Sequence, residues 1–110
     1  MFTIKERRAL DETEGWLWVE EGLRLAELAA QVPKTHWIVE LGSHLGRSSG
    51  YLAAGSRAGR GARLVCIDTW GGEDRLENFV ANMERLAHRQ RFVSIIASLH
   101  TEKPDPAKQP

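Results

Sequence analysis

Residues 37–49 constrain the fold of this chain more than any other stretch. Residues 37–41 (WIVEL) are bulky and largely β-branched, which is typical of a buried strand covered on both faces. Gly42 and Gly46 follow, and they let the backbone turn sharply and approach a ligand without a Cβ in the way. Ser48 then falls where the first turn of a helix leaves N–H groups unpaired. The pattern predicts a strand, a glycine turn and a helix.

The glycine turn does not fit the two common phosphate-binding motifs. A dinucleotide fingerprint that starts at Gly42 requires glycines where the chain has His44 and Arg47. A P-loop requires a glycine at Leu41 and a lysine at Arg47. Glu40 ends the predicted strand, at the edge where open α/β sheets bind ligands. The loop therefore suits a ligand with an amino-acid head, whose amine faces Glu40 and whose carboxylate faces the helix amides.

Hydrophobic periodicity places the remaining elements around this stretch. It predicts helices over 16–31, 47–57 and 73–89, and further strands over 63–67 and 91–97. Right-handed crossovers between these strands give a parallel sheet of order 3-2-1. The predicted fold class is α/β, a partial Rossmann-like three-layer sandwich with about three parallel strands and flanking helices. Trp16 and Trp18 are interpreted as packing against the sheet.

An acidic residue, Asp68, ends the second predicted strand. A carboxylate can accept hydrogen bonds from both hydroxyls of a ribose. Its distance along the chain from the glycine turn matches the ribose-binding acid of nucleotide-binding βαβ units. The alternative role is a cap on the following segment. Cys66, two residues earlier, is most simply a small buried hydrophobic residue.

Five ordered blocks of sequence resemble the class I S-adenosylmethionine-dependent methyltransferases, and most closely their small-molecule O-methyltransferase branch. The blocks are Gly15-Trp16-Leu17, Val39-Glu40-Leu41-Gly42-Ser43, Gly46-Arg47-Ser48-Ser49, Ile67-Asp68-Thr69-Trp70-Gly71-Gly72, and Phe79 with Asn82-Met83. The resemblance implies an S-adenosylmethionine cofactor, a small-molecule acceptor and transfer of a methyl group. It implies cofactor contacts at Glu40, Gly42, Ser43, Gly46, Arg47, Ser48, Asp68, Thr69, Trp70 and Ser98.

Two of these residues, Trp70 and Ser98, concern the adenine end of the cofactor. Trp70 either flanks the adenine ring or simply covers the strand ends, and both interpretations stay open. The family likeness places Ser98 near the adenine edge. Acceptor pockets and general bases in this family usually come from segments after the third strand, so no catalytic residue is assigned.

The predicted organisation is that of a partial enzyme. Residues 1–100 are expected to form the amino-terminal, cofactor-binding half of a truncated methyltransferase domain, and residues 101–110 a polar, proline-rich tail. The most apolar strand is then a bare edge, which soluble proteins avoid. We therefore expect self-association or a covering chain there. Two alternatives are another adenosine-nucleotide-binding protein and a non-catalytic interaction module.

Composition limits the classes of partner that the chain is expected to bind. Fifteen basic residues balance fifteen acidic ones, so no global field attracts the chain to nucleic acid or to an anionic membrane. No apolar run has the length of a signal peptide or of a membrane span. A single cysteine excludes an internal disulfide, and the four histidines show no metal-ligand spacing, so no metal is expected. A cytoplasmic protein is the default prediction.

Overall fold

The computed structural model of the chain describes residues 2–71, 74–87 and 94–98. Its elements, in chain order, are α1 (Ile4–Asp11), α2 (Val19–Ala30), β1 (Trp37–Leu41), α3 (Arg47–Ala58), β2 (Arg63–Asp68), α4 (Arg75–Ala87) and β3 (Ser94–Ser98). β2 pairs in parallel with β1 on one side and with β3 on the other. In this register Glu40 lies opposite Cys66, and Asp68 lies opposite Ser98.

The start of α1 follows local capping chemistry. Thr3 caps α1, because its Oγ1 accepts a hydrogen bond from the Glu6 backbone N–H at 3.1 Å and its own N–H donates to the Glu6 carboxylate at 2.9 Å. Asp11 and Glu14 have the spacing of a capping box, but no helix starts there, since Asp11 is the last residue of α1. α2 starts only at Val19, three residues later than the periodicity predicts.

α3 packs against α2 with almost no space between the two backbones. A Cβ added to Gly55 would lie 2.2 Å from the carbonyl oxygen of Ala26, and one added to Gly59 would lie 2.2 Å from that of Ala30. The small residues of α3 therefore allow close approach to a neighbouring helix. Ala53, on another side of α3, packs over the sheet against Leu64.

The core lies on the helical side of the sheet. One buried cluster joins α3 and α4 to the strands and contains Ala53, Leu64, Cys66, Trp70, Phe79 and Met83. A second cluster joins α1 to α3 and α4 and contains Leu10, Tyr51, Ala54 and Leu86. Phe79 and Met83 of α4 are buried.

The opposite face of the sheet is open, and the predicted Rossmann-like three-layer sandwich is therefore wrong. Trp37, Val39 and Leu41 project from β1 with 47%, 58% and 76% of their surface exposed. Alternate β1 residues, such as Ile38, pack against the core. No helix in the described part of the chain covers the exposed side, so β1 is not covered on both faces as predicted. The chain is a small mixed α/β unit whose described residues form four helices on one face of parallel-paired strands.

Two further predictions concern a membrane span and the carboxyl-terminal tail. None of the described helices is long and apolar enough to cross a membrane. The predicted tail over 101–110, together with His88 and His100, lies outside the described residues.

Candidate functional site

The candidate site surrounds residues 42–46, which we call the glycine loop, at the carboxyl ends of β1 and β2. The Gly42 N–H donates to the Ile67 carbonyl at 2.7 Å and ties the loop to β2. Gly42 and Gly46 have left-handed φ angles of 81° and 93°, which favour glycine. A Cβ on Gly46 would lie 3.2 Å from the Phe79 ring, whereas one on Gly42 would meet no described atom within 4 Å. Gly46 is therefore constrained by the core, and Gly42 borders open space.

Asp68 connects the end of β2 to the glycine loop. Its Oδ2 accepts a hydrogen bond from the His44 backbone N–H at 2.8 Å, and its Oδ1 accepts one from the Trp70 N–H at 3.0 Å. Burial raises the pKa of Asp68, but the backbone hydrogen bonds from His44, Trp70 and Thr69 and the charge of Arg75 outweigh it, so the pKa lies below its ordinary value. Asp68 thus caps the following turn, the alternative role considered above. Oδ2 can still accept a second hydrogen bond, whereas Oδ1 also has the Thr69 hydroxyl within 3.4 Å.

Glu40 reaches the same region from the end of β1. The Ser49 hydroxyl, in the first turn of α3, donates to Glu40 Oε1. Cys66 is buried beneath this pair, and burial raises the pKa of its thiol, with the Glu40 charge adding to the effect and the Ser49 and Ser43 hydroxyls opposing it. The Ser43 hydroxyl lies beside this thiol but makes no hydrogen bond of ordinary geometry within the described part of the chain. Glu40 and Asp68 therefore contact opposite ends of one segment, 44–49.

Arg47 holds the amino-terminal segment against the glycine loop. Its Nε donates to the Leu17 carbonyl at 2.7 Å. Its Nη1 lies within hydrogen-bond distance of three more carbonyls, those of Leu10 at 3.1 Å, Asp11 at 2.7 Å and Thr13 at 3.0 Å. The family likeness assigns Arg47 to the cofactor, but in this structure these two nitrogens bind backbone oxygens 30 to 37 residues away in the sequence.

A cavity of about 290 Å³ lies between the glycine loop and residues 12–18, which we call the strap. The strap connects α1 to α2. The walls of the cavity are Glu14, Gly15, Trp16 and Leu17 of the strap, Glu21 of α2, and Gly42, Ser43, His44, Leu45, Arg47 and Ser48. A Cβ on Gly15 would lie 2.9 Å from the Arg47 Cβ, so glycine is needed where the strap crosses α3.

Trp16 stacks on His44 at this cavity. The two rings are nearly parallel, at 8°, with their centroids 5.3 Å apart, and Trp16 is 90% exposed. Trp18 is exposed as well, so the prediction that both tryptophans pack against the sheet is wrong. The amphipathic pattern that suggested it begins too early, because α2 starts at Val19 and Trp16 belongs to the strap.

The remaining predicted contacts lie further from the cavity. Trp70 is buried against Phe79, with ring centroids 4.7 Å apart, which favours the interpretation that it covers the strand ends. Thr69 is exposed, and its hydroxyl lies 3.4 Å from Asp68 Oδ1. The backbone of Ser98 pairs beside Asp68, while its side chain lies outside the described atoms.

The structure thus brings together most of the predicted residues and adds others. Gathered at the glycine loop are Glu40, Gly42, Ser43, Gly46, Arg47, Ser48 and Asp68. Glu14, Glu21 and Trp16 also line the cavity, and the sequence pattern does not predict this, because their approach to the glycine loop depends on the path of the strap. Among residues 2–71, 74–87 and 94–98, no three His, Cys, Asp or Glu side chains are grouped to hold a metal ion.

No protein-family model matches the chain, and no curated protein matches it either.

Proposed function

We propose that this chain is the cofactor-binding region of an S-adenosylmethionine-dependent methyltransferase that acts on a small-molecule acceptor. The observation that carries the proposal is the hydrogen bond between Asp68 and the His44 backbone N–H. It fixes an acidic strand end against a glycine loop whose first glycine borders open space. A ligand with a sugar at one end and an amino acid at the other needs these two features side by side.

Each part of such a ligand meets a suitable group. The remaining acceptor capacity of Asp68 suits the ribose hydroxyls, because Oδ2 keeps a free acceptor position and the exposed Thr69 hydroxyl, the weaker of the two contacts to Oδ1, can be displaced. The amino terminus of α3 begins at Gly46 without a side-chain cap, so its N–H groups and positive dipole end suit a carboxylate. The absence of a Cβ at Gly42 leaves room for the sulfur-bearing chain between them.

The bound cofactor would supply an electrophilic methyl group on sulfur. The task of the protein is then mainly to hold that group in line with the acceptor nucleophile. The described residues account for the cofactor side of this arrangement, and we assign no residue to acceptor binding or to proton transfer.

A second candidate function is a non-catalytic interaction module. It is favoured by the exposed apolar side chains of β1, which form a surface of the kind that binds other proteins. Cofactor binding separates the two candidates, because the interaction module does not require it.

Two glycine variants test the proposal with matched backbone strain. Gly42 and Gly61 have φ angles of 81° and 80°, and neither added Cβ meets a described atom within 4 Å. Gly42→Ala and Gly61→Ala should therefore each lose about 1–2 kcal/mol of stability. In calorimetric titrations with S-adenosylhomocysteine, we expect only Gly42→Ala to weaken binding, by about tenfold or more, since tenfold corresponds to about 1.4 kcal/mol.

The same titrations can overturn the proposal. Failure of the folded wild-type chain to bind S-adenosylhomocysteine at millimolar concentration would remove it. Equal losses of affinity in the two variants would show that strain, and not the space above Gly42, affects binding.

A further inference from the structure

We infer that Glu14 of the strap, and not Glu40 at the end of β1, holds the ammonium group of the ligand's amino-acid end. This inference rests on the proposed function, and it adds the strap to the binding site. Three glutamates lie at or beside the glycine loop: Glu14 and Glu21 line the cavity, and Glu40 contacts Ser49.

Glu40 already has a hydrogen-bond partner within the protein. It is half-buried, its Oε1 accepts the Ser49 hydroxyl, and it is not among the residues that line the cavity. Its contact stabilises the first turn of α3. This is a positioning role, which a structural carboxylate can fill without contact with a ligand.

Glu21 lines the cavity but has a local partner. Its Oε1 accepts a hydrogen bond from the Trp18 backbone N–H at 3.2 Å and so completes the start of α2. Glu14 also lines the cavity and is exposed. The ion pairs between described side chains involve Glu6 and Glu27, so neither cavity glutamate is neutralised by an ion pair within the described part of the chain. Glu14 is thus the better placed of the two.

The walls of the cavity complement a zwitterion. Glu14 and Glu21 place negative charge on the strap side, while the guanidinium of Arg47 is held by backbone carbonyls. The uncapped first turn of α3 forms the opposite wall and suits a carboxylate. Ser43 lines the same cavity, is 1% exposed, and its hydroxyl lacks an ordinary hydrogen bond among the described residues. A buried hydroxyl of this kind gains by meeting a polar ligand.

Trp16 adds a further attraction for a cation. Its indole lines the cavity next to Glu14 and is held by the stack with His44. An ammonium group near an indole face gains a cation–π contribution, and an ammonium that hydrogen-bonds a carboxylate gains a charge-assisted bond. The chemistry recognised here is an α-amino acid attached to an apolar chain.

The experiment compares two ligands that differ only at the amino-acid end. S-adenosylhomocysteine carries the amino acid, and methylthioadenosine keeps the sugar, base and sulfur but lacks it. We expect Glu14→Gln to weaken S-adenosylhomocysteine binding by about tenfold or more and to leave methylthioadenosine binding unchanged. Glu12→Gln, an exposed glutamate of the strap outside this cavity, is the matched control and should change neither affinity.

The remaining outcomes separate this inference from the proposed function. Wild-type affinity of Glu14→Gln for S-adenosylhomocysteine, with a selective loss in Glu40→Gln, overturns the inference and leaves the proposed function standing. A wild-type chain that binds neither ligand overturns the proposed function and the inference with it.

Discussion

At the scale of single residues, Tyr51 is the clearest case of a side chain whose chemistry depends on the fold. Its ring projects from α3 into the buried cluster that includes residues of α1 and α4. Its hydroxyl donates to the Asp11 carboxylate at the end of α1. Burial, together with the hydrogen bond to Asp11 and its negative charge, raises the pKa of Tyr51 to about 12. The ring also contacts α2, since a Cβ on Gly22 would lie 2.6 Å from it.

This shift predicts how stability changes at alkaline pH. The folded pKa of Tyr51 exceeds the unfolded value of 10.0, so its contribution is complete below pH 10 and is lost as pH rises towards about 12. Tyr51 is the only tyrosine in the chain, so tyrosinate absorbance reports on this site alone. We expect native protein to titrate near pH 12, Asp11→Asn to titrate lower, and Tyr51→Phe to lose about 1–3 kcal/mol of unfolding free energy. Titration of the folded wild type at pH 10 would contradict the prediction.

At the scale of elements, Arg47 joins the strap to α3. One guanidinium contacts four backbone carbonyls, in an arrangement that the compact ammonium of lysine does not reproduce. Arg85 supports the same segment, because its Nη2 donates to the Thr13 hydroxyl at 3.1 Å. The strap therefore depends on side chains from α3 and α4.

Arg47→Lys should release the strap. We expect a loss of about 2–3 kcal/mol in denaturant unfolding, since charged hydrogen bonds to mostly half-buried carbonyls are lost, and faster amide exchange confined to residues 12–18. Arg57→Lys is the control: its ion pair with Glu6 is 3.4 Å long and partly exposed, and such pairs contribute about 1 kcal/mol or less. Unchanged exchange in the strap of Arg47→Lys would show that other contacts hold it.

Local pattern predicts elements better than it predicts their long-range contacts. The bounds of β1 follow from the apolar run and the glycine after it, and Asp68 follows from its place at the end of β2. The partners of Arg47 could not be predicted in this way, because they lie some thirty residues earlier and are backbone atoms. The helical pattern wrongly includes Trp16, because an aromatic residue before a helix fits that pattern as well as it fits a loop.

At the scale of the whole molecule, the most consequential feature is the open face of the sheet, which leaves apolar side chains of β1 exposed. The largely apolar run of β1 predicts cover on both sides, but the core lies on one side only. β1 also lies at one end of the strand order, so its outer edge presents unpaired backbone groups within the described part of the chain. Both features favour association with another polypeptide.

We therefore expect the chain to self-associate through β1. Val39 is the central residue of the strand and is 58% exposed. Val39→Lys should lower the concentration-dependent average mass measured by sedimentation or light scattering, because the charge opposes burial of this face. Leu28→Lys, on the exposed surface of α2, is the control for removing an apolar side chain elsewhere and should have no effect. A wild type that stays monomeric at high concentration would refute the prediction.

The contact between α2 and α3 has a mechanical consequence. Gly55 and Gly59 leave no clearance for sliding, since a single methyl group would already overlap the carbonyls of Ala26 and Ala30. The two helices must therefore move as one rigid body. Movement that admits a ligand to the cavity is therefore expected in its other walls, the strap and the glycine loop, and not between α2 and α3.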